Sequence, residues 1–340
     1  MSRGALPKLE VRLARADGSM LVGHLVEHRG RIGFEYAPSF LGEGRSLSPL
    51  NLPLEPGIVW APSPERLHGL FDDALPDGWG MLLMDRHFRR VGVDPRGLSL
   101  LDRLAYLGER TMGALTFHPP LDGDEDAEID LDRLAAAADE VIEGSAADVL
   151  PALERAGGTP GGARPKVLVA IRDGVMRSGA GPPPEGFESW LIKFCGRRDD
   201  PDTGALEVAY ARAAQAAGLR VPEVRLFGLA DGRRLFGVRR FDRLGTRRAH
   251  VHTLSGLLNA DFRVPNLDYD HLLRVTAHVT GSQVEIAEAF RRMVFNVLAG
   301  NRDDHGKNTA LVMDEAWTWN LAPAYDLTWA AGPGGHHTMA

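Results

Sequence analysis

The sequence predicts an α+β protein built from more than one lobe, and three observations carry that expectation. At 340 residues the chain exceeds the size at which a single hydrophobic core keeps growing. Apolar residues recur at or near period two close to the N-terminus (Leu9, Val11 and Leu13, then Leu21, Leu25, Ile32 and Phe34), and β-branched runs return at 167–171 and 190–194. The last third changes period: Ile286, Phe290, Met293, Val294 and Val297 mark one face of a long helix that Gly300 stops.

Composition narrows the function classes. With 44% hydrophobic and 25% charged residues the chain is globular, which excludes wholesale disorder, a collagen-like repeat and a global coiled coil. Lys and Arg total 39 against 46 Asp and Glu, and the net charge of −7 argues against tight non-specific attachment of the whole molecule to a phosphate backbone. Cys195 has no cysteine partner for an internal disulfide, and the first residues hold no apolar run of signal-peptide length. No stretch approaches the roughly 20 apolar residues of a membrane span. The cytoplasm is the expected compartment.

Taken in order, the strands of 8–37 are punctuated by Asp17-Gly18 and Arg29-Gly30, the marks of short hairpins. A proline-rich stretch follows. Behind Pro76, the residues Trp79, Leu82, Leu83, Arg86 and Arg90 stand at helical spacing across 77–91, with Gly92 as the stop. The apolar segment 111–118 closes this mixed first part, and the acidic run of 121–132, which faces no basic residue, reads as a solvated connection. Helices are expected at 131–142 and 148–155, Pro151 being tolerable only in a first turn. Gly157 to Lys166 ends them, and the two apolar runs that follow read as strands separated by a Gly/Pro loop. An Ala-rich helix at 207–217 ends at Gly218, and 221–240 reads as a hairpin turning at Asp231-Gly232. Helices dominate 268–300, with Ser282 to Glu285 fitting a capping box. Two short strands, 308–313 and 317–321, surround Asp314-Glu315.

The segment Gly300-Asn301-Arg302-Asp303-Asp304-His305-Gly306-Lys307-Asn308 lies between the long helix and a strand, where a loop holds reacting groups on a rigid frame. Asp303 and Asn308 have the Asp-x-x-x-x-Asn spacing of a kinase catalytic loop, in which the carboxylate takes the substrate hydroxyl proton and the amide oxygen holds magnesium. A second carboxylate must come from elsewhere, and Asp326 offers it. Each residue alone reads more readily as turn chemistry; their order and spacing carry the argument. Gly157 to Lys166 is either a phosphate cradle of backbone amides or a plain surface turn, and it lacks the Gly-x-x-x-x-Gly-Lys-Ser/Thr pattern of a Walker loop. Lys193, inside an apolar strand, points either into a cleft, fixed over phosphates by Glu207 on the next helix, or out to water. His305, His336 and His337 lack the spacing of a zinc site, and Ser255 lacks the hydrolase elbow. Arg233, Arg234, Arg239, Arg240, Arg243, Arg247 and Arg248 form a basic cluster whose ordinary meaning is a solvated face and whose sharper meaning is contact with phosphates or an acidic partner.

These residues resemble those of the HipA-like serine/threonine kinases, the toxins of bacterial toxin–antitoxin modules, over most of the chain. The loop from Asp303 to Asn308 resembles the family's Asp-x-His-x-Lys-Asn signature, which implies Asp303 as base, Asn308 as magnesium ligand, and His305 and Lys307 beside ATP. Tyr325-Asp326 resembles the family's Tyr-Asp metal motif, so that Asp326 is the second ligand and Tyr325 lies at the nucleotide. Lys193 matches the ATP-binding lysine and Glu207 its helix partner, while Gly161, Gly162, Ala163, Arg164, Pro165 and Lys166 look like the phosphate loop. Thr159 falls where relatives carry an autophosphorylated serine whose modification ejects that loop. Arg239 and Phe241 resemble the adenine hinge and the segment after it, although some relatives have an acid at the position of Arg239. Leu75-Pro76-Asp77-Gly78-Trp79 and Met112-Gly113-Ala114-Leu115 resemble N-terminal subdomain motifs. Relatives continue beyond the Tyr-Asp motif with a helical segment, whose absence is expected to expose apolar surface on 268–300.

The resemblance implies a small N-terminal α/β subdomain (1–120) before a bilobal protein-kinase-like fold, with a strand-rich nucleotide-binding lobe (121–250) and a helical catalytic lobe (251–340) that is short at its C-terminus. The expected reaction is ATP- and magnesium-dependent phosphorylation of a protein Ser or Thr. The implied partner is a HipB-like helix-turn-helix antitoxin, with DNA reached only through it and no membrane. Two alternatives stand beside this: a small-molecule phosphotransferase of aminoglycoside type, and a catalytically silent chain that binds an antitoxin.

Overall fold

The computed structural model describes residues 8–63, 66–121, 128–144, 151–157, 161–179, 181, 183–196 and 199–339. The first part of the chain holds β1 (Lys8–Arg15), β2 (Gly18–His28), β3 (Arg31–Tyr36), α1 (Pro38–Leu41), β4 (Ile58–Trp60), α2 (Gly69–Asp72), α3 (Gly78–Arg90), α4 (Leu100–Leu107) and β5 (Leu115–His118). Its strands form one antiparallel sheet in the order β4-β3-β2-β1-β5. Alternation along β1 sends Leu9, Val11 and Leu13 inward, where they meet Leu25, Phe34 and Phe117 in a core that α4 also covers. Ser99 and Asp102 start α4 with a reciprocal capping box.

Next come α5 (Leu131–Glu143), α6 (Pro151–Gly157), β6 (Lys166–Arg172), β7 (Val175–Ser178), β8 (Glu188–Lys193), α7 (Thr203–Ala216), β9 (Val224–Gly228) and β10 (Arg234–Arg239). These strands make a second sheet, β7-β6-β8-β10-β9. The loop expected between the two apolar runs contains β7, a four-residue hairpin partner of β6 too short and too mixed to show a period. The Ala-rich helix begins at Thr203, four residues before the expected start. Of the acidic connection, Asp130 caps α5 through Arg133 N–H and Asp132 accepts from Ala230 N–H at 2.7 Å, so part of it is structural; 122–127 lies outside the described residues. Helix α3 bridges the two parts, its Trp79 and Leu83 packing with Val167 and Trp190 of the second core.

The last part holds β11 (Arg243–Leu244), β12 (Arg247–Arg248), β13 (His250–Thr253), α8 (Leu254–Leu257), α9 (Tyr269–Thr280), α10 (Gln283–Ala299), β14 (Ala310–Met313) and β15 (Trp319–Leu321). β13-β14-β15 form a small antiparallel sheet with α9 and α10 against it. Helix α10 has the predicted extent, but its direction differs from the pattern. It buries Glu285, Glu288, Arg292 and Asn296, while Phe290 and Val297 are each 51% exposed and Leu298 is 82% exposed. The polar face turns inward because it serves backbone and side-chain groups of its neighbours: Glu285 accepts from Leu321 N–H at 2.7 Å and Arg292 donates to the Ala322 carbonyl at 2.6 Å. Glu285 therefore leaves the capping box half formed, Ser282 alone accepting from Glu285 N–H.

The basic cluster is not one solvated face. Arg240, Arg243 and Arg248 are buried, and Arg243 and Arg248 donate to the carbonyls of Thr111 and Gly113 in the first part of the chain. No helix among the described residues is long and apolar enough to cross a membrane.

Candidate functional site

Lys166 and Lys193 are register partners on β6 and β8, which puts two ammonium groups on the same face of the second sheet. Carboxylates resolve the like-charge pair. Lys193 Nζ donates to Glu207 Oε2 at 2.6 Å and to Asp326 Oδ1 at 2.5 Å, joining β8, α7 and the segment after β15. Burial works against the Lys193 charge, but Asp326 and Glu207 outweigh it and raise the ammonium pKa well above its usual range. Asp326 is held far below the carboxylate range, first by Lys193 and then by Lys166, against the opposing effect of burial. Lys166 is shifted down by burial and by Lys193, and its Nζ donates to the Gly161 carbonyl at 2.5 Å. Arg164 stands 3.8 Å from Glu207 Oε1 and is half exposed.

The loop after α10 is built around a division of labour between neighbouring aspartates. Asp303 is exposed, and burial of its surroundings together with Asp326 and Asp304 raises its pKa against the opposing His305. Asn308 closes the loop by donating Nδ2 to the Asp303 carbonyl at 2.8 Å. Asp304 points inward at 3% exposure, accepting from Tyr269 OH at 2.5 Å, Thr338 N–H at 2.8 Å and Met339 N–H at 3.2 Å, with His337 Nδ1 at 2.8 Å. Asn301 donates to Asn296 Oδ1 at 3.1 Å, which ties the loop back to α10. Tyr325 OH donates to the Lys307 carbonyl at 2.7 Å, and its ring stacks on Phe241 at 5.6 Å between centroids. Lys307 Nζ and the His305 ring both lie against Phe262.

The structure thus brings Lys166, Lys193, Glu207, Asp326 and Arg164 together, and gathers Asp303, His305, Lys307, Asn308, Tyr325 and Phe241 around one loop. Arg239 is not among them: at 46% exposure it turns to Glu188 at 3.2 Å and Glu223 at 3.7 Å. Thr159 lies outside the described residues. Sequence reading missed Asp304, since an Asp-Asp doublet carries no mark of which member faces inward. It also missed Asn301 and Asn296, whose partner lies five residues away across a helix end. Among the described residues no group of three or more His, Cys, Asp or Glu side chains is arranged to hold a metal ion. Asn308 and Asp326 would supply two oxygens, a set that suits an ion keeping most of its shell as water.

Fold and site define a mixed α/β protein whose clustered lysines and carboxylates sit beside a glycine-rich turn. The chain belongs to the HipA family: residues 158–340 match the HipA-like C-terminal domain and residues 14–118 match the HipA N-terminal domain. It is similar to two proteins of Sinorhizobium fredii that bear the provisional name of kinase. Y4dM is 29% identical over 76% of this chain and 61% of its own length, and Y4mE is 28% identical over 92% and 75%. The chain therefore spans about three fifths of the first of these relatives. Its fold is similar to a chain of the Shewanella oneidensis MR-1 toxin–antitoxin complex of HipA, HipB and operator DNA, with a TM-score of 0.65 and 20% identity over 94% of this chain and 76% of that one.

Proposed function

We propose that this chain is an ATP- and magnesium-dependent serine/threonine protein kinase and the toxin of a HipA/HipB-like module. The observation that carries the reading is Lys193 held between Glu207 and Asp326, beside the glycine-rich turn. A lysine fixed by a helix glutamate is positioned to neutralise phosphate oxygens, and preorganised charge of this kind is the main catalytic resource of phosphoryl transfer. The domain reading follows it: an N-terminal subdomain over 1–120, a strand-rich lobe over 121–250 and a helical lobe over 251–340, arranged as a bilobal kinase.

In this reading the amides of Gly161 to Lys166 cover the phosphates, and Lys193 and Lys166 offset their charge. Asp303, exposed and with a raised pKa, takes or orients the proton of the incoming hydroxyl. Asn308 and Asp326 would hold magnesium, which supplies charge neutralisation at the transferring phosphate. Phe241 and Tyr325 line the base side, and Thr159 is the proposed site of self-phosphorylation. A HipB-like antitoxin is the proposed partner, in keeping with the family and with the complex in which the similar fold occurs.

The test is transfer of labelled γ-phosphate from ATP to protein acceptors, with sugars and aminoglycosides as competing acceptors. Asp303→Asn is expected to lower the transfer rate ~10²-fold or more while leaving ATP affinity within a few-fold. Transfer by Asp303→Asn at the wild-type rate removes Asp303 from the chemistry, and transfer to sugars alone replaces the protein-kinase reading with the small-molecule one.

A further inference from the structure

Helix α3 begins at an aspartate that does not cap it. Asp77 occupies the N-cap position with extended backbone, yet its carboxylate makes no bond to the first turn of its own helix. Instead Oδ1 accepts from Gly162 N–H of the glycine-rich turn, 85 residues away. Two more bonds join the same elements: Trp79 N–H donates to the Gly162 carbonyl at 3.0 Å, and the Trp79 indole donates to the Lys166 carbonyl at 3.1 Å. The contact leaves no room for a side chain at Gly78. Gly78 has φ +43, and a Cβ there would lie 2.7 Å from the Gly162 carbonyl oxygen and 2.8 Å from Ala163 Cα. Gly162 has φ +95, and a Cβ on it would collide with the Lys166 ammonium.

Residues 77–79 belong to the part of the chain matched by the N-terminal domain, and residues 161–166 to the part matched by the C-terminal one. We infer that Asp77, with Gly78 and Trp79, is a positioning element for the glycine-rich turn, so that the N-terminal domain sets the affinity of the C-terminal domain's phosphate site. The physical reason is conformational entropy. A turn rich in glycine has many open conformations, and three bonds from a helix end anchored in a core select one of them. Trp79 provides the anchor, being 3% exposed among Leu83, Val167 and Trp190. The inference deepens the nucleotide-site reading and rests on it for its consequence, while the clamp itself stands on the geometry.

The experiment compares Asp77→Ala with Asp77→Asn, which keeps an acceptor oxygen where alanine has none. Amide hydrogen exchange of the free protein reads the clamp without any ligand: Asp77→Ala is expected to raise exchange across 161–166 ~10-fold, and Asp77→Asn to stay near wild type. Steady-state kinetics with ATP and magnesium read the consequence: in Asp77→Ala the KM for ATP is expected to rise ~10-fold with kcat within about twofold, and Asp77→Asn to restore most of the loss. Wild-type exchange at 161–166 in a folded Asp77→Ala overturns the clamp, as does an asparagine variant that is no better than alanine. Should Asp77→Ala not fold, Asp77→Gly, which also lacks an acceptor and is tolerated at a helix N-cap, carries the same comparison. If the wild type binds no nucleotide, the function reading fails and the exchange measurement alone decides the clamp.

Discussion

His250 lies in β13 at 2% exposure, with Nε2 donating to the Leu47 carbonyl at 3.0 Å. Burial first, and neighbouring His252 second, push its pKa down to about 3. The sign of the linkage follows from that direction. An unfolded histidine takes up its proton near pH 6.5, whereas the folded one refuses it until about pH 3, so stability is complete above 6.5 and is lost as pH falls between those values. His250 alone contributes up to about 1.4 kcal/mol per pH unit in that window, alongside His24 and His68, which burial also shifts down; denaturant titrations at pH 7, 6 and 5 read the sum. His250→Gln, whose amide also donates to a carbonyl, is expected to flatten the slope; an unchanged slope would assign the acid loss to other groups. Asp73 and Asp242, both held below their usual range, act only below about pH 4 and so stay out of this window. Two juxtapositions were legible at this scale because spacing along the chain suggests them, Asp303 with Asn308 in one loop and Lys193 with Glu207 on the next helix. Asp304 was not, because its meaning depends on a tyrosine 35 residues away and on backbone amides near position 338.

Among the elements, α10 separates what a period can reveal from what it cannot. The spacing of Ile286, Phe290, Met293, Val294 and Val297 fixed the helix and its stop at Gly300, which is left-handed at φ +66. It did not fix which side faces the protein. Apolar periodicity predicts orientation only when the alternative surface has nothing to bond, and here the polar stripe meets Arg220, Leu321 N–H, the Ala322 carbonyl, Tyr269 and Asn301. The consequence is an inverted sensitivity to mutation. Leu298→Ser is expected to change stability by less than about 0.5 kcal/mol, since its side chain is already in water, and Phe290→Ser, whose ring is half covered, by about 1 kcal/mol. Asn296→Ala removes the donor to Tyr269 OH and the acceptor for Asn301, and is expected to cost about 2 kcal/mol. Chemical denaturation of the three variants checks the order; a larger loss for Phe290→Ser than for Asn296→Ala would mean that the apolar face is covered in solution. Short strands such as β7 were illegible for a simpler reason, four residues being too few to establish a period of two.

Over the whole molecule, the first sheet is joined to the remainder by buried ions as well as by the core that α3 shares. Asp242 accepts from Arg240 at 2.7 Å, from Arg243 at 2.7 Å and from Gly113 N–H at 2.8 Å, while Arg243 and Arg248 bond the carbonyls of Thr111 and Gly113. A second junction lies at Asp73, which accepts from Thr253 N–H at 2.7 Å and Thr253 OH at 2.6 Å and faces His252 Nδ1 at 2.7 Å. Neither junction could be read from the sequence, where Asp242 sits in an arginine-rich stretch that resembles a solvated face. Buried ion pairs add little net stability when intact, but removing one partner strands the others without solvent. Asp242→Ala leaves Arg240 and Arg243 without their carboxylate and is expected to cost about 3 to 5 kcal/mol. Because the damage falls on the junction and not on either core, its signature is a change in cooperativity as well as a lower midpoint. Calorimetry is expected to give one transition for the wild type and, for Asp242→Ala, a first transition about 10 °C lower in which the contacts of 109–115 are lost. Hydrogen exchange assigns that first transition. If Asp242→Ala lowers the midpoint but still unfolds as one unit, the shared Trp79 core and the Asp73 junction suffice to hold the two parts together, and the arginine cluster only shapes the loop it touches.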